Sequence, residues 1–464
     1  MKLRKWSSLS RLIASGVLGL TTILGSVYTV QANEVPAAPS ISQWSIPTLH
    51  EGEKYGIFPL SWYYDGTFQK PITADKFQAL MADTTKKLDS LGLKKKGTLP
   101  ALPATGTITR ETVTRTLYAI LTQYELSQAF EIDKYSANEY LQKKGIIQGT
   151  PRGLELDQPS TTEQAAVLAS RLVSYAYDTA QAGAKGLLWK ATKGENTLYL
   201  LGSIHLGISD MYPLHKEVRD AFAASNSLFV EVNLASPKPE DMKYFTDSMM
   251  LTDGTTLKDH ISKETYDKLQ KVLDKLDLPM QAFETLKPWA ITTSLSMSSL
   301  VSSPEDMNQA ATLGIDMYFL QSALLTDKPI EELEGLKLQS DVFNNVPMNI
   351  QEKELNDALD AILNPTANQQ NNAGEFTKWQ QQWAKGDVEG FTQSFTASQD
   401  FVESDSAKRL FGERDKNMAT KIAALLDKEG KSTYFVVVGA GHFVLKDMVI
   451  DQLKQKGYKV EFVK

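Results

Sequence analysis

The chain contains no cysteine, and that one absence removes a set of functions. Disulfide scaffolds, thiolate metal sites, a cysteine nucleophile and a lipid-modified cysteine are all excluded. Positive charge is scarce too: 49 Lys and Arg stand against 56 Asp and Glu, a formal net charge of −7, and Lys94-Lys95-Lys96 is the longest basic run. A nucleic-acid binder carries a basic face or stripe, so nucleic acid is not an expected partner. No Gly-x-Ser-x-Gly elbow occurs, which sets a serine hydrolase aside as a distant third reading. Histidine is rare, with five in the chain: His50, His205, His215, His260 and His442. Beyond the N-terminal apolar run, no second stretch approaches the length of a membrane span.

What is present points to several domains. At 464 residues, 42% of them hydrophobic, the chain exceeds one ordinary core. Lys2, Arg4, Lys5 and Arg11 precede an apolar run from Leu12 to Val30, and Val30 and Ala32 stand at −3 and −1 of a cleavage point before Asn33. Residues 1–32 therefore read as a signal peptide, with an uncleaved membrane anchor as the alternative. A secreted or cell-surface location is expected, with no membrane span after signal cleavage. Residues 33–56 carry Pro36, Pro39 and Pro47 and read as an extended linker. Over 57–180 the pattern is helical, and one kind of helix start recurs at Pro71-Ile72-Thr73-Ala74-Asp75, Thr107-Ile108-Thr109-Arg110-Glu111 and Pro159-Ser160-Thr161-Thr162-Glu163. In each, a threonine is placed to accept a free backbone N–H and an acid follows at the positive helix end. Thr161 and Gln164 also have capping-box spacing.

Near Ala180 the periodicity changes. Trp189-Lys190-Ala191, Asn196 to Leu201, and Leu228 to Val232 read as strands. A block dominated by helical patterns follows from Pro237 to about Ala361, including Lys263–Leu276 and Trp289–Leu300. The polar stretch Asn364 to Gly374 reads as a mobile loop, and a long helix is expected from Ser406 to Leu426. The apolar run Tyr434 to Val438 is typical of a strand buried on both faces, followed by a helix over Asp447–Lys456 and a strand over Lys459–Val463. The fold class expected for 185–464 is α/β, a sheet with a helical insertion, preceded by a small mainly helical domain.

Two histidines share a local frame. The strand ending at Leu201 runs into Gly202-Ser203-Ile204-His205, and the strand ending at Val438 runs into Gly439-Ala440-Gly441-His442. One Gly-x-x-His means little; two, each at the carboxyl end of a buried strand, fall where open α/β sheets gather their ligands. Glycines there let the backbone turn and approach a ligand closely. Glu231 interrupts the apolar Leu228-Phe229-Val230, where an unpaired carboxylate is costly to bury. Two imidazoles and a carboxylate make a common open metal set, so His205, Glu231 and His442 are the candidate metal ligands. His215 and His260 read as bystanders.

Two resemblances bear on these readings. The segments Leu200 to Gly207 with Tyr212-Pro213-Leu214, Phe229 to Asn233, Leu286 to Ala290, Gly314 to Leu320, Lys328-Pro329-Ile330 with Leu333-Glu334 and Gln339, Glu413 to Met418, and Val438 to His442 with Gly457-Tyr458 together resemble the TraB/GumN family, whose superfamily includes the Tiki metalloproteases. Asp415 stands where that family usually has Asn. The resemblance implies a metal-dependent, peptidase-like hydrolase acting on a peptide or protein, with His205, Glu231 and His442 as the metal or catalytic set and a divalent ion, Mn, Co or Zn, as cofactor. Glu231 either completes the metal shell or acts as general base, and Arg414 is a catalytic candidate that meets negative charge on the substrate. Glu334 and Asp316 are weaker candidates. Residues 57–180 resemble S-layer homology modules, which implies a cell-wall polymer as partner; the arginine of that motif survives only as Arg110. The competing expectation is a non-catalytic cell-surface binding or scaffolding protein.

Overall fold

The computed structural model describes residues 40–298, 309–364, 372–396 and 405–463. The signal segment expected over 1–32, residues 365–371 of the polar stretch and the last residues of the helix expected over Trp289–Leu300 lie outside them. The described chain forms two compact units: residues up to Lys185 with Ser209–Arg219, and Gly186–Ile208 with those from Asp220 onward.

The first unit is helical, with helices Ile46–Lys54, Ala74–Asp89, Arg110–Thr122, Ala137–Lys143 and Thr162–Thr179. The three recurring starts are capped as their sequences dictate. Thr73, Thr109 and Thr161 accept the N–H of Lys76, Thr112 and Gln164, and the Gln164 side chain accepts the Thr161 N–H in return. The starts are also laced together: Ile72 N–H donates to Ser160 O, Ser160 N–H to Ile108 O and Arg110 N–H to Gln158 O, at 2.8–2.9 Å. Arg110 turns inward and donates to the carbonyls of Leu154 and Gln148. The extended linker expected over 33–56 is corrected by a helix at Ile46–Lys54. Pro47 sits in its first turn, where the missing N–H is harmless, and Leu49 is buried. Ahead of that helix, Ser42 and Ser45 donate to the buried Glu163 carboxylate.

The second unit is a mixed α/β fold built on a six-stranded sheet in the order β4-β3-β5-β2-β1-β6. The strands are β1 (Leu187–Lys193), β2 (Asn196–Ser203), β3 (Ser227–Val230), β4 (Ile330–Glu332), β5 (Thr433–Gly439) and β6 (Lys459–Phe462). β1 is antiparallel to both β2 and β6, whereas β2–β5, β5–β3 and β3–β4 are parallel. One row of paired residues, Glu332–Val230–Val437–Leu201, crosses the four parallel strands, so their carboxyl ends finish at one level. β5 lies inside, with Phe435 to Val438 fully buried, as its unbroken apolar run requires.

Three departures from the sequence reading shape the site. Ile330–Glu332 is a short strand within a stretch read as helical; three residues are too few to show a period. Asn372 to Gly374, read as loop, belong to the helix Asn372–Lys385. The helix expected over Ser406–Leu426 is two, Asp405–Leu410 and Glu413–Leu426, because Gly412 takes φ +88°, a conformation open to glycine. The inserted helices carry their own core, in which Leu269, Leu273, Phe283, Ile291, Leu355 and Leu359 are buried together. Among the described residues no helix is long and apolar enough to cross a membrane.

Trp383 secures the end of β2. It is fully buried, and its indole N–H donates to Gly202 O at 2.6 Å. Trp383→Phe keeps most of the packing but removes that donor, so it should destabilise this unit by about 1–3 kcal/mol, the cost of a buried group left unpaired. A urea midpoint followed by near-ultraviolet circular dichroism and unchanged from the parent would contradict this.

Candidate active site

The parallel strands deliver four side chains to one edge: His205 after β2, His442 after β5, Glu231 after β3 and Glu334 after β4. His205, Glu231 and His442 line a single cavity of about 410 Å³, together with Ser203, Gln339 and Arg414. The first glycine of each Gly-x-x-His makes room for a neighbour: Gly202 for the loop after β5, and Gly439 for the Glu231 carboxylate after β3. A Cβ on Gly202 would come within 3.0 Å of Ala440 Cα, and one on Gly439 within 3.3 Å of Glu231 Oε1. Neither has positive φ, so what these two glycines themselves supply is clearance. Ala440 N–H donates to Ser203 O at 2.9 Å, closing the two loops on each other.

Each histidine is oriented by a carboxylate on its Nδ1. His205 Nδ1 lies 2.8 Å from Asp316 Oδ2, and Asp316 Oδ1 accepts the Ser203 hydroxyl at 2.7 Å. His442 Nδ1 lies 2.9 Å from Asp415 Oδ1, and Asp415 Oδ2 accepts the Gly412 N–H. Nε2 is left to each ring as its outward nitrogen. His442 Nε2 stands 4.0 Å from Glu231 Oε2. Asp316 and Glu334, expected to be weak candidates because helix-borne acids usually face solvent, are both largely buried at the site. Asp415 and Gln339 carry no expected role in the sequence reading, beyond belonging to segments that resemble the family. The signal for Asp415 was its place three residues after Gly412 at a helix start.

Glu231 and Arg414 form the other half. Glu231 Oε1 accepts the Gly439 N–H at 2.7 Å, and Oε2 accepts from Gln339 Nε2 at 2.9 Å and Arg414 Nη2 at 3.0 Å. Arg414 also grips Glu334 through Nε and Nη2, and Nη1 donates to Leu410 O. Four hydrogen bonds therefore engage a guanidinium that has five N–H donors. Arg414, expected to meet negative charge on a substrate, lines the cavity and in this arrangement holds two carboxylates. His215 and His260 contact Glu217 and Thr255 and do not line the cavity.

The electrostatics follow from this inventory. Asp316 raises the His205 imidazole from its ordinary 6.5 to about 9, with Glu231 adding to the pull while burial and Arg414 oppose it. The His205 side chain is 66% exposed, so water screens part of that attraction, and the direction rests on the 2.8 Å contact. Burial works against the Asp316 charge, but His205 and the Ser203 hydroxyl outweigh it and hold the carboxyl below its usual range. Burial likewise opposes the Arg414 charge, and Glu334, Glu231 and Asp415 outweigh it, keeping the guanidinium above its usual value.

The donor set fits a divalent ion in part. Among the described residues no group of three or more His, Cys, Asp or Glu is gathered as a finished metal cluster, and both Glu231 oxygens already have partners. The two imidazoles do fit, since a carboxylate on Nδ1 is what fixes the tautomer and raises the basicity of a metal-binding histidine. So does the charge: Asp316, Asp415, Glu231 and Glu334 stand against the Arg414 guanidinium and, below about pH 9, the His205 imidazolium, four negative groups against two positive, an excess of two that rises to three when His205 gives up its proton. A partly buried excess of that sign favours a cation.

Comparison with known proteins places this geometry. The profile of the TraB/PrgY/gumN family matches residues 187–462. The chain is 24% identical over 304 residues to Metalloprotease TIKI2 of Danio rerio, covering 57% of this chain and 58% of that protein. It is 22% identical over 318 residues to Metalloprotease TIKI1 of Homo sapiens, covering 61% and 62%. It is 27% identical over 154 residues to the uncharacterized protein YbaP of Escherichia coli, covering 33% and 54%. The chain thus spans about three fifths or less of the length of these relatives. No solved structure matches.

The pair of His205 and Asp316 carries a pH signature. The folded-state pKa lies above the unfolded one, so the pair stabilises the fold fully below about 6.5 and loses that contribution as pH rises through about 9. In metal-free protein, NMR titration should place the His205 imidazole well above 6.5, and Asp316→Asn should return it toward that value. A His205 midpoint near 6.5 in the parent would show that the contact does not form.

Proposed function

Because the chain belongs to the TraB/PrgY/gumN family, we propose that its α/β unit is a metal-dependent hydrolase of peptidase type, working through His205, Glu231 and His442. The observation that carries this reading is the shared carboxylate–imidazole arrangement, Asp316 on His205 and Asp415 on His442, at the edge of one cavity. The names of the Danio rerio and Homo sapiens relatives support the reaction class. Nε2 of His205 and of His442 would hold the ion. When bound, a divalent ion supplies an acidified water and a polarised carbonyl.

The chain's own residues do the rest. Asp316 and Asp415 keep a proton of each ring on Nδ1, which leaves Nε2 as the nitrogen whose lone pair can bind the ion. Glu231, fixed from three sides by Gly439, Gln339 and Arg414, is the base that takes a proton at Oε2 from the attacking water and returns it to the departing amine. Arg414 is a positioning residue: it ties Glu231 to Glu334 and sets where Oε2 stands. Export on the signal-like start of the sequence, and attachment to a wall polymer through 57–180, belong to the same reading as the setting in which the enzyme acts.

A second reading has one observation in its favour. The Glu231–Arg414–Glu334 ion pairs satisfy one another without a metal, as in a purely structural polar cluster. On that reading the chain is a non-catalytic surface binding or scaffolding protein.

Elemental analysis and peptide hydrolysis separate the two. The purified full chain, reconstituted with manganese, cobalt or zinc, should retain about one ion per chain. His205→Ala and His442→Ala should each abolish retention and turnover while the circular dichroism spectrum is kept. Asp316→Asn and Asp415→Asn should weaken metal retention by about 10–100-fold, as loss of an orienting partner does. Full activity in either histidine variant, or in chelator-treated protein, would remove this mechanism.

A further inference from the structure

The catalytic groups account for only part of the cavity. Its other wall is aromatic: Phe343, Phe376, Trp379, Phe391, Phe395 and Phe411 line it. These side chains come from helices that the strand ends do not include, chiefly Asn372–Lys385 and Val388–Phe395, and from the break between Leu410 and Glu413.

The wall is continuous and reaches the reactive end. Phe376 lies 6.0 Å from Trp379, Trp379 5.3 Å from Phe395, and Phe391 stacks on Phe395 at 5.9 Å and 12°. A Cβ on Gly441 would come within 2.9 Å of Phe411 and 3.2 Å of Phe395, so the bare backbone of the His442 loop is the seam where the two rings meet. The Phe411 ring is centred 5.0 Å from the His442 imidazole. Phe376, Trp379, Phe395 and Phe411 are only part-buried and keep ring surface toward the cavity. An aromatic surface left wet beside charged groups is costly unless a ligand covers it.

The chemistry of the lining selects the ligand. Arg414 and the His205 imidazole are the cationic side chains among the described lining residues; Glu231 and Glu334 engage the first and Asp316 the second, so an acidic side chain finds no unpaired positive side chain. About 410 Å³ lies within the usual range for a ligand-binding cleft and has room for a large side chain with its flanking backbone. We propose that this wall is a specificity subsite that takes a bulky apolar side chain, aromatic above all, from the residue flanking the bond to be cleaved. The proposal rests on the hydrolase reading for the position of that bond, and on the cavity alone for the choice of side chain.

The experiment uses the full chain loaded with manganese and a set of quenched peptides that vary at one position beside the cut. Peptides with Phe, Trp or Leu there should be hydrolysed with a kcat/KM at least about tenfold above those with Gly, Asp or Lys, the discrimination an apolar pocket gives. Phe376→Ala and Trp379→Ala should each reduce that ratio. In parallel, NMR should show N-acetyl-phenylalaninamide binding the parent and binding more weakly to both variants, with N-acetyl-glycinamide binding neither. Hydrolysis without an apolar preference, or a preference unchanged in both variants, overturns the subsite and leaves the hydrolase reading standing. Binding of the phenylalanine amide that the variants lose, with no peptide cleaved, supports the subsite and overturns the hydrolase reading. Absence of both overturns both. The parent's own peptide profile decides the matter should either variant fail to fold.

Discussion

The site depends on the parallel register of four neighbouring strands. β4, β3, β5 and β2 run the same way, and Glu332, Val230, Val437 and Leu201 stand in one row across them. Whatever follows each strand must then emerge at one edge of the sheet. That is how Glu334, Glu231, His442 and His205, spread over more than half the chain, come to face one another. A side-chain site of this kind needs no local sequence motif to assemble it. The shared register of these strands fixes the site.

A second layer gives the meeting side chains their chemistry. Asp316 and Asp415 leave each ring one available nitrogen, while Arg414 keeps Glu231 and Glu334 from repelling each other apart. Both devices come from helices packed beside the sheet, and both hold charge where water is scarce. Negative charge remains in excess in the polar half of the cavity, the demand that the proposed cation would meet. The aromatic half, built from other helices, sets what else fits there. One cavity thus combines an electrostatic demand with an apolar one, and the two have different origins in the chain.

Much of this was legible in the sequence, for identifiable reasons. The three threonine caps were readable because a cap is a local device, complete within four residues. β2, β3 and β5 were readable from their apolar runs, and β1 and β6 from apolar residues alternating with polar ones. His205, Glu231 and His442 stood out as polar residues at the ends of buried strands, and the structure brings them to one cavity. What was not legible depends on contacts distant in the chain. β4 is three residues long and is a strand only because β3 lies alongside it. The break at Gly412 was hidden in an otherwise helical pattern. Asp316 and Glu334 looked like solvent-facing acids until their partners, 111 and 80 residues away, arrived. Arg414 was singled out, but its role depended on two carboxylates whose positions only the fold supplies. The stretch read as a linker misled through its prolines, one of which, Pro47, sits in the first turn of a helix.

The central claim is that His205 and His442 present their Nε2 atoms to a single point. Crystals of the full chain soaked in manganese, with diffraction collected at the manganese absorption edge, test it most directly. The account predicts one anomalous peak in the cavity within about 2.0–2.3 Å of both Nε2 atoms, a bonding distance for a divalent first-row ion. A peak bonded to neither ring, or rings turned to opposite sides of the sheet, would contradict it.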